Sequence, residues 1–112
     1  MVSSDQIKRG VARYIDSEIS PKITGWQKWV FSAACAAYIA QLSTIIRKAA
    51  DNKYIAALEL FDNAGNVDID KVYEYLKPAA AQSPAPISLP GMGTITLAEK
   101  DVDMLYSYIM SS

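Results

Sequence analysis

The feature that most constrains this chain is a run of eighteen uncharged residues, Trp29 through Ile46, bounded by Lys28 and Arg47. The run is apolar nearly all the way round a helix, and such a helix has to be covered by protein or by lipid. It belongs to a predicted helix over residues 25–51, with Thr24 as its N-cap after a Pro-Lys-Ile linker. A spanning helix needs about 20 predominantly apolar residues, so the run just reaches that length. Trp26 and Trp29 at one end and Arg47–Lys48 at the other resemble interfacial anchors. Against a span, much of the run is alanine and serine, and Gln41, Ser32, Ser43 and Thr44 lie inside it. We therefore expect a buried central helix, with a span over 29–46 as the alternative. Small residues recur at four-residue spacing, as Ser32, Ala36 and Ala40 and again as Ala33 and Ala37. Such rows let helix backbones approach closely, which makes these five positions interface candidates within the chain or between subunits.

The flanking segments have the periodicity of a folded protein. Residues 4–20 predict an amphipathic helix capped by Ser3 or Ser4, with Ile7, Val11, Tyr14, Ile15 and Ile19 on one stripe. Gly10 weakens that helix and suits close approach by a neighbour, and Pro21 ends it. A short helix over 54–61 should follow the central one, then a turn at Asn63-Ala64-Gly65-Asn66. The next helix starts with Asp68 or Asp70 as cap and carries Val72, Tyr73 and Leu76 as far as Pro78. Residues 78–86 read as a linker. Ile87-Ser88-Leu89 and Thr94-Ile95-Thr96 alternate around Pro90-Gly91-Met92-Gly93 and predict a β-hairpin, which is barely stable alone and must pack on the helices or on a neighbouring chain. Thr96-Leu97-Ala98-Glu99 matches a capping box, so the last helix should start near Thr96 or Leu97, with Leu97, Val102, Leu105, Tyr106 and Ile109 buried. The expected fold is mainly α, in the α+β class. It is a small helical bundle around one long Ala-rich central helix, with a C-terminal hairpin near 86–96 and a last helix, in a single domain spanning 1–112.

Composition narrows the chemistry. Hydrophobic residues make up 51% and charged residues 21%, which belongs to a folded chain. There is no histidine and Cys35 is the only cysteine, so an internal disulfide and a His/Cys zinc set are both excluded. Cys35 reads as a small core residue. An EF-hand alignment with Gly65 at the sixth position puts Leu60, Ala64 and Lys71 at ligand positions, so calcium is rejected. Asp101 and Asp103 lie two apart on a predicted helix and point in different directions, unlike paired catalytic carboxylates. Gly91-Met92-Gly93 lacks the Lys-Ser/Thr of a phosphate loop and the spacing of a dinucleotide fingerprint. No catalytic residues and no cofactor are expected. A carboxylate site would have to gather several of Asp62, Asp68, Asp70, Asp101 and Asp103.

The net charge of −1 is unevenly spread, with eight basic and four acidic side chains in residues 1–53 against three and eight in residues 54–112. Basic residues cluster only at Lys8–Arg9 and Arg47–Lys48, which speaks against nucleic acid. Tyr73, Tyr75, Tyr106 and Tyr108 fall partly off the buried stripes, and exposed aromatics are enriched at interfaces. They join the interface candidates. Residues 1–20 carry six charges and no apolar core, unlike a signal peptide.

The segments Gly10–Asp16, Thr24–Val30, Asn66–Asp70 and Thr96–Asp103 resemble small uncharacterised proteins encoded by phages and prophages of Gram-positive gut bacteria. The resemblance implies a phage-derived structural or accessory protein, located in the bacterial cytoplasm or on the virion, and acting through a protein partner that includes a second copy of itself. The alternative is a small membrane-associated phage protein.

Overall fold

The computed structural model describes residues 2–25, 27–49 and 66–112. Among the described residues the chain forms four α-helices and two two-stranded antiparallel sheets. Trp26, the Asp51-Asn52-Lys53 break, the helix expected over 54–61, Asp62 and most of the following turn lie outside the described residues.

Helix α1 (Ser4–Tyr14) starts where Ser3 accepts a hydrogen bond from the Gln6 amide at 3.1 Å. The expected stripe forms, with Val11, Tyr14, Ile15 and Ile19 buried and Ile7 packed against them. The helix does not run uniformly to Ser20. It widens into a π-helical turn at Ile15–Ile19 and tightens into a 3-10 turn at Ser20–Lys22, which contains Pro21. The wider turn keeps both Ile15 and Ile19 in the core. Before α1, strand β1 (Val2–Ser3) pairs with β2 (Asn66–Val67), an association between distant segments that local patterning does not encode.

The long helix α2 spans Phe31–Ala49 and follows a 3-10 turn at Lys28–Val30. It begins later than expected, and Thr24 does not cap it. Gly25 has a φ of 81°, a left-handed conformation that breaks any helical path directly after Thr24.

Helix α3 (Ile69–Gln82) is capped by Asp68, whose carboxylate accepts from the Lys71 amide at 3.3 Å. It corrects the expected linker, because residues 78–82 are helical and only Ser83 ends the element. Pro78 lacks an amide hydrogen and costs the helix a bond. The three alanines that follow favour helix, and Ala80 is buried in the core. These gains carry the helix past the proline.

The hairpin forms in the expected place, as β3 (Ala85–Leu89) and β4 (Gly93–Leu97) with Ile87 opposite Ile95. Its turn needs left-handed φ at Gly91 and Gly93, and Gly91 approaches Val30 so closely that a β-carbon there would meet the valine at 2.7 Å. Helix α4 (Glu99–Met110) starts two residues later than the capping-box pattern implies. Ala98 occupies the N-cap and has no side-chain acceptor. Asp101 instead reaches back, accepting from the Ala98 amide at 2.8 Å. Helices α1 and α4 pack closely at Gly10, and α4 also packs on α3.

Candidate functional site: the outward face of the long helix

Burial on α2 follows one narrow stripe. Ala34, Tyr38, Leu42 and Ile46 are buried, and their four-residue spacing puts them on one side of the helix. Cys35, Ile39 and Ile45 are partly covered at its margins. Burial pushes the Cys35 thiol up, away from the reactive thiolate. Gln41 holds the helix to the hairpin. Its side-chain amide donates to the Ser88 carbonyl at 2.7 Å, and its oxygen accepts from the Ser88 amide at 2.9 Å. The side chain thus pairs with the strand edge as a neighbouring backbone would.

The opposite face is open. Ser32, Ala33, Ala36 and Ala40 are exposed, as is Thr44, while Ala37 is half-buried. Trp29, just before the helix, is 80% exposed. The Thr44 hydroxyl is turned back on its own helix, donating to the Ala40 carbonyl. The segment Lys28–Ile46 is long and apolar enough to cross a membrane, yet only 22% of it is buried in the protein. The expectation that this helix would be enclosed therefore holds for one stripe alone.

The candidate tyrosines have a different fate. Tyr73 donates to Asp103, Tyr106 donates to Asp70 at 2.8 Å, and Tyr108 donates to Glu18 at 2.8 Å. The Tyr73 and Tyr106 rings pack at 4.8 Å between α3 and α4. Lys77 joins them, donating to the Tyr73 hydroxyl at 2.9 Å and pairing with Asp103 at 3.1 Å. The Tyr73 hydroxyl and then Lys77 hold the Asp103 carboxyl below its ordinary range. Three of the four tyrosines thus tie helices together within the chain. Tyr75 is half-buried and lines a groove of about 810 Å³ between the C-terminal parts of α2 and α3 and the start of β3.

Among the described residues no three His, Cys, Asp or Glu side chains are placed to share a metal ion. Asp70 and Asp103 bond different tyrosines, Asp68 and Asp101 cap different helices, and the four do not gather into one site. Sequence patterning misses the Gln41–Ser88 clamp and a polar cleft beside Tyr14. The clamp had one legible signal, a lone amide within the charge-free run.

Comparisons with protein-family models, with curated proteins and with solved structures find no match.

Proposed function

We infer that this protein acts by non-catalytic association with a second copy of itself, using the outward face of α2 as the seam. The observation that carries this is the outer face of α2, which is uncharged from Phe31 to Ile46 and open to solvent at Ser32, Ala33, Ala36, Ala40 and Thr44. A soluble surface helix ordinarily carries charged residues on its outer face. The row Ser32, Ala36, Ala40 has no long side chain, so a facing helix can approach closely. The same row on a second copy is self-complementary under twofold symmetry. Trp29 at the edge adds one large apolar anchor of the kind enriched at interfaces.

The uncharged seam, Phe31 to Ile46, is about 24 Å long at 1.5 Å per residue. A single-helix contact of this length falls below roughly 1,200 Å² of buried surface, the range of weak, transient association. The resemblance to phage-encoded proteins suits such an accessory role inside a bacterial host. The low burial of Lys28–Ile46 also favours a second reading, in which lipid covers the face.

The test is sedimentation of detergent-free protein over a wide concentration range. A concentration-dependent dimer is expected, and Ala36→Glu should leave a monomer with unchanged helicity, because position 36 is exposed. A wild-type protein that stays monomeric at high concentration refutes the seam, and recovery only in the membrane pellet replaces protein with lipid.

A further inference from the structure

We propose that the outer edge of β4 binds an extended segment of another protein as an added antiparallel strand, with one aliphatic side chain seated beside Ile95. This surface is independent of the α2 seam, which lies on a different element. Strand addition draws affinity from main-chain hydrogen bonds and specificity from a pocket for alternate side chains, and β4 offers both.

The two edges of the hairpin are built differently. Antiparallel ladders alternate between pairs that exchange hydrogen bonds and pairs whose amides and carbonyls point outward. Both backbone groups of Ser88 bond Gln41, so the Ser88–Thr94 pair is of the outward kind, and so is Pro86–Thr96 two positions along. On the β3 side this edge is sealed, because Gln41 occupies Ser88 and Pro86 has no amide hydrogen to offer. On the β4 side the amides and carbonyls of Thr94 and Thr96 make no hydrogen bond with any described residue. Natural edges are ordinarily blunted by charge, by proline or by a covering element. Gly93–Leu97 carries neither charge nor proline, both threonines are exposed, and β3 is the only described element on which β4 packs extensively.

A strand laid antiparallel along this edge exchanges a pair of bonds with Thr94 and another with Thr96, and its residue between them falls opposite Ile95. Residues directly opposite share a face, so that side chain enters a cleft of about 270 Å³ which Ile95 lines together with Ile19, Ile23 and Met104. Ile95 is only half-buried, and the inserted side chain covers it. Glu18 and Asp101 stand against Lys22 at the polar end of the cleft. Two carboxylates to one ammonium favour a neutral or basic segment over an acidic one. Lys22 and Ile23 line the cleft across from β4, which makes it a slot for one chain and not for a strand that brings its own hairpin. Two edges of five residues, about 17 Å long at 3.4 Å per residue, would also bury far less than the roughly 1,200 Å² of a stable interface. A second copy therefore gains no stable contact here, and the occupant is a peptide segment.

The experiment is an amide NMR titration of the full chain carrying Ala36→Glu, which removes the α2 seam, with the acetylated and amidated peptide Lys-Thr-Val-Ile-Val-Thr-Lys. Saturable shifts centred on residues 19–23 and 93–97 are expected, with hydrogen exchange slowed at Thr94 and Thr96, whose amides are open in the free protein. N-methylation of both peptide valines removes the donors that face these threonines and should weaken binding roughly tenfold. Thr94→Pro should do the same, since its ring replaces an outward-facing amide and spares the ladder to β3. Glutamates in place of the peptide lysines should weaken binding as well. The N-methylated peptide leaves the protein unaltered, so it decides the question if Thr94→Pro disturbs the hairpin. The proposal is overturned by no saturable shift, by equal binding of the N-methylated or glutamate peptide, or by Thr94 and Thr96 amides already protected in the free protein. A dimer that persists in Ala36→Glu and is lost with Thr94→Pro overturns it too, by making a second copy the occupant.

Discussion

Replacing Gly10 with alanine sets two known effects against each other. In an isolated helix the change stabilises by about 0.8–1 kcal/mol. In this protein a β-carbon at position 10 would lie 2.5 Å from the Ile109 α-carbon, 2.7 Å from its Cγ1 and 2.9 Å from its amide nitrogen. Two of those atoms are backbone, so no rotamer change relieves the clash. Restoring ordinary contact requires α1 and α4 to part by roughly 1 Å, given that carbon atoms pack best near 3.5–4.0 Å. That movement strains the bond from the Gln6 amide side chain to the Ile109 carbonyl, 3.0 Å in the native protein. It also loosens the packing of Val11 and Tyr14 against the core. Overpacking of this kind costs about 1–3 kcal/mol, and the rigid backbone partner puts Gly10→Ala at the upper end. After subtracting the helix gain, the net loss is about 1–2 kcal/mol, or about 4–8 °C in melting temperature for a domain of this size. Urea denaturation followed by circular dichroism measures it. A higher midpoint for Gly10→Ala would refute the reasoning, because it would mean that α1 and α4 do not meet at this point.

Two further outcomes follow from the hydrogen bonds and burial described above. Gln41→Ala removes both bonds to Ser88 at a partly exposed site and should cost about 1–2 kcal/mol, at 0.5–1.5 for each bond; it should also speed hydrogen exchange at the Ser88 amide, and unchanged exchange there would show that the clamp does not form. Burial and then the nearby Asp101 carboxylate raise the Tyr14 phenol, burial and then Tyr14 raise Tyr38, and the Asp70 hydrogen bond raises Tyr106, all above the ordinary 10. The folded state holds these protons more tightly than the unfolded one, so their contribution is complete below pH 10 and lost as pH rises further. Tyrosinate absorbance should therefore develop in two phases, the second coinciding with loss of helicity. Reversible ionisation of all seven tyrosines near pH 10 without unfolding would contradict this.

Much of the fold was legible locally because its signals are local. The stripe of α1, the Ser3 and Asp68 caps and the alternation around Pro90–Gly93 each depend on residues a few positions apart. Gly10 was recognisable as a point of close approach, though its partner Ile109 was not. Where patterning erred, tertiary packing outweighed a local rule: Pro78 sits inside α3 because Ala80 is held in the core, and α4 starts at Glu99 with Asp101 supplying the cap. The π-helical turn at Ile15–Ile19 has no local marker: residues four apart share a face in an ordinary α-helix as well, so the spacing of the two isoleucines does not announce it.

The candidate site divides in the same way. The sequence by itself determined that α2 would be helical, small-sided and uncharged as far as Ile46, because those are properties of residue type and spacing. Which side faces inward was decided only by the tertiary structure, which buries Ala34, Tyr38, Leu42 and Ile46 and turns Ser32, Ala36 and Ala40 outward. A charge-free helix has no polar face to announce its orientation, so contacts from α1, α3 and β3 set it. The tyrosines show the converse. Their amphipathic character was plain from residue type, but whether each phenol met solvent, a partner or a carboxylate depended on Asp70, Asp103 and Glu18, which lie 36, 30 and 90 positions away from the tyrosines they bind.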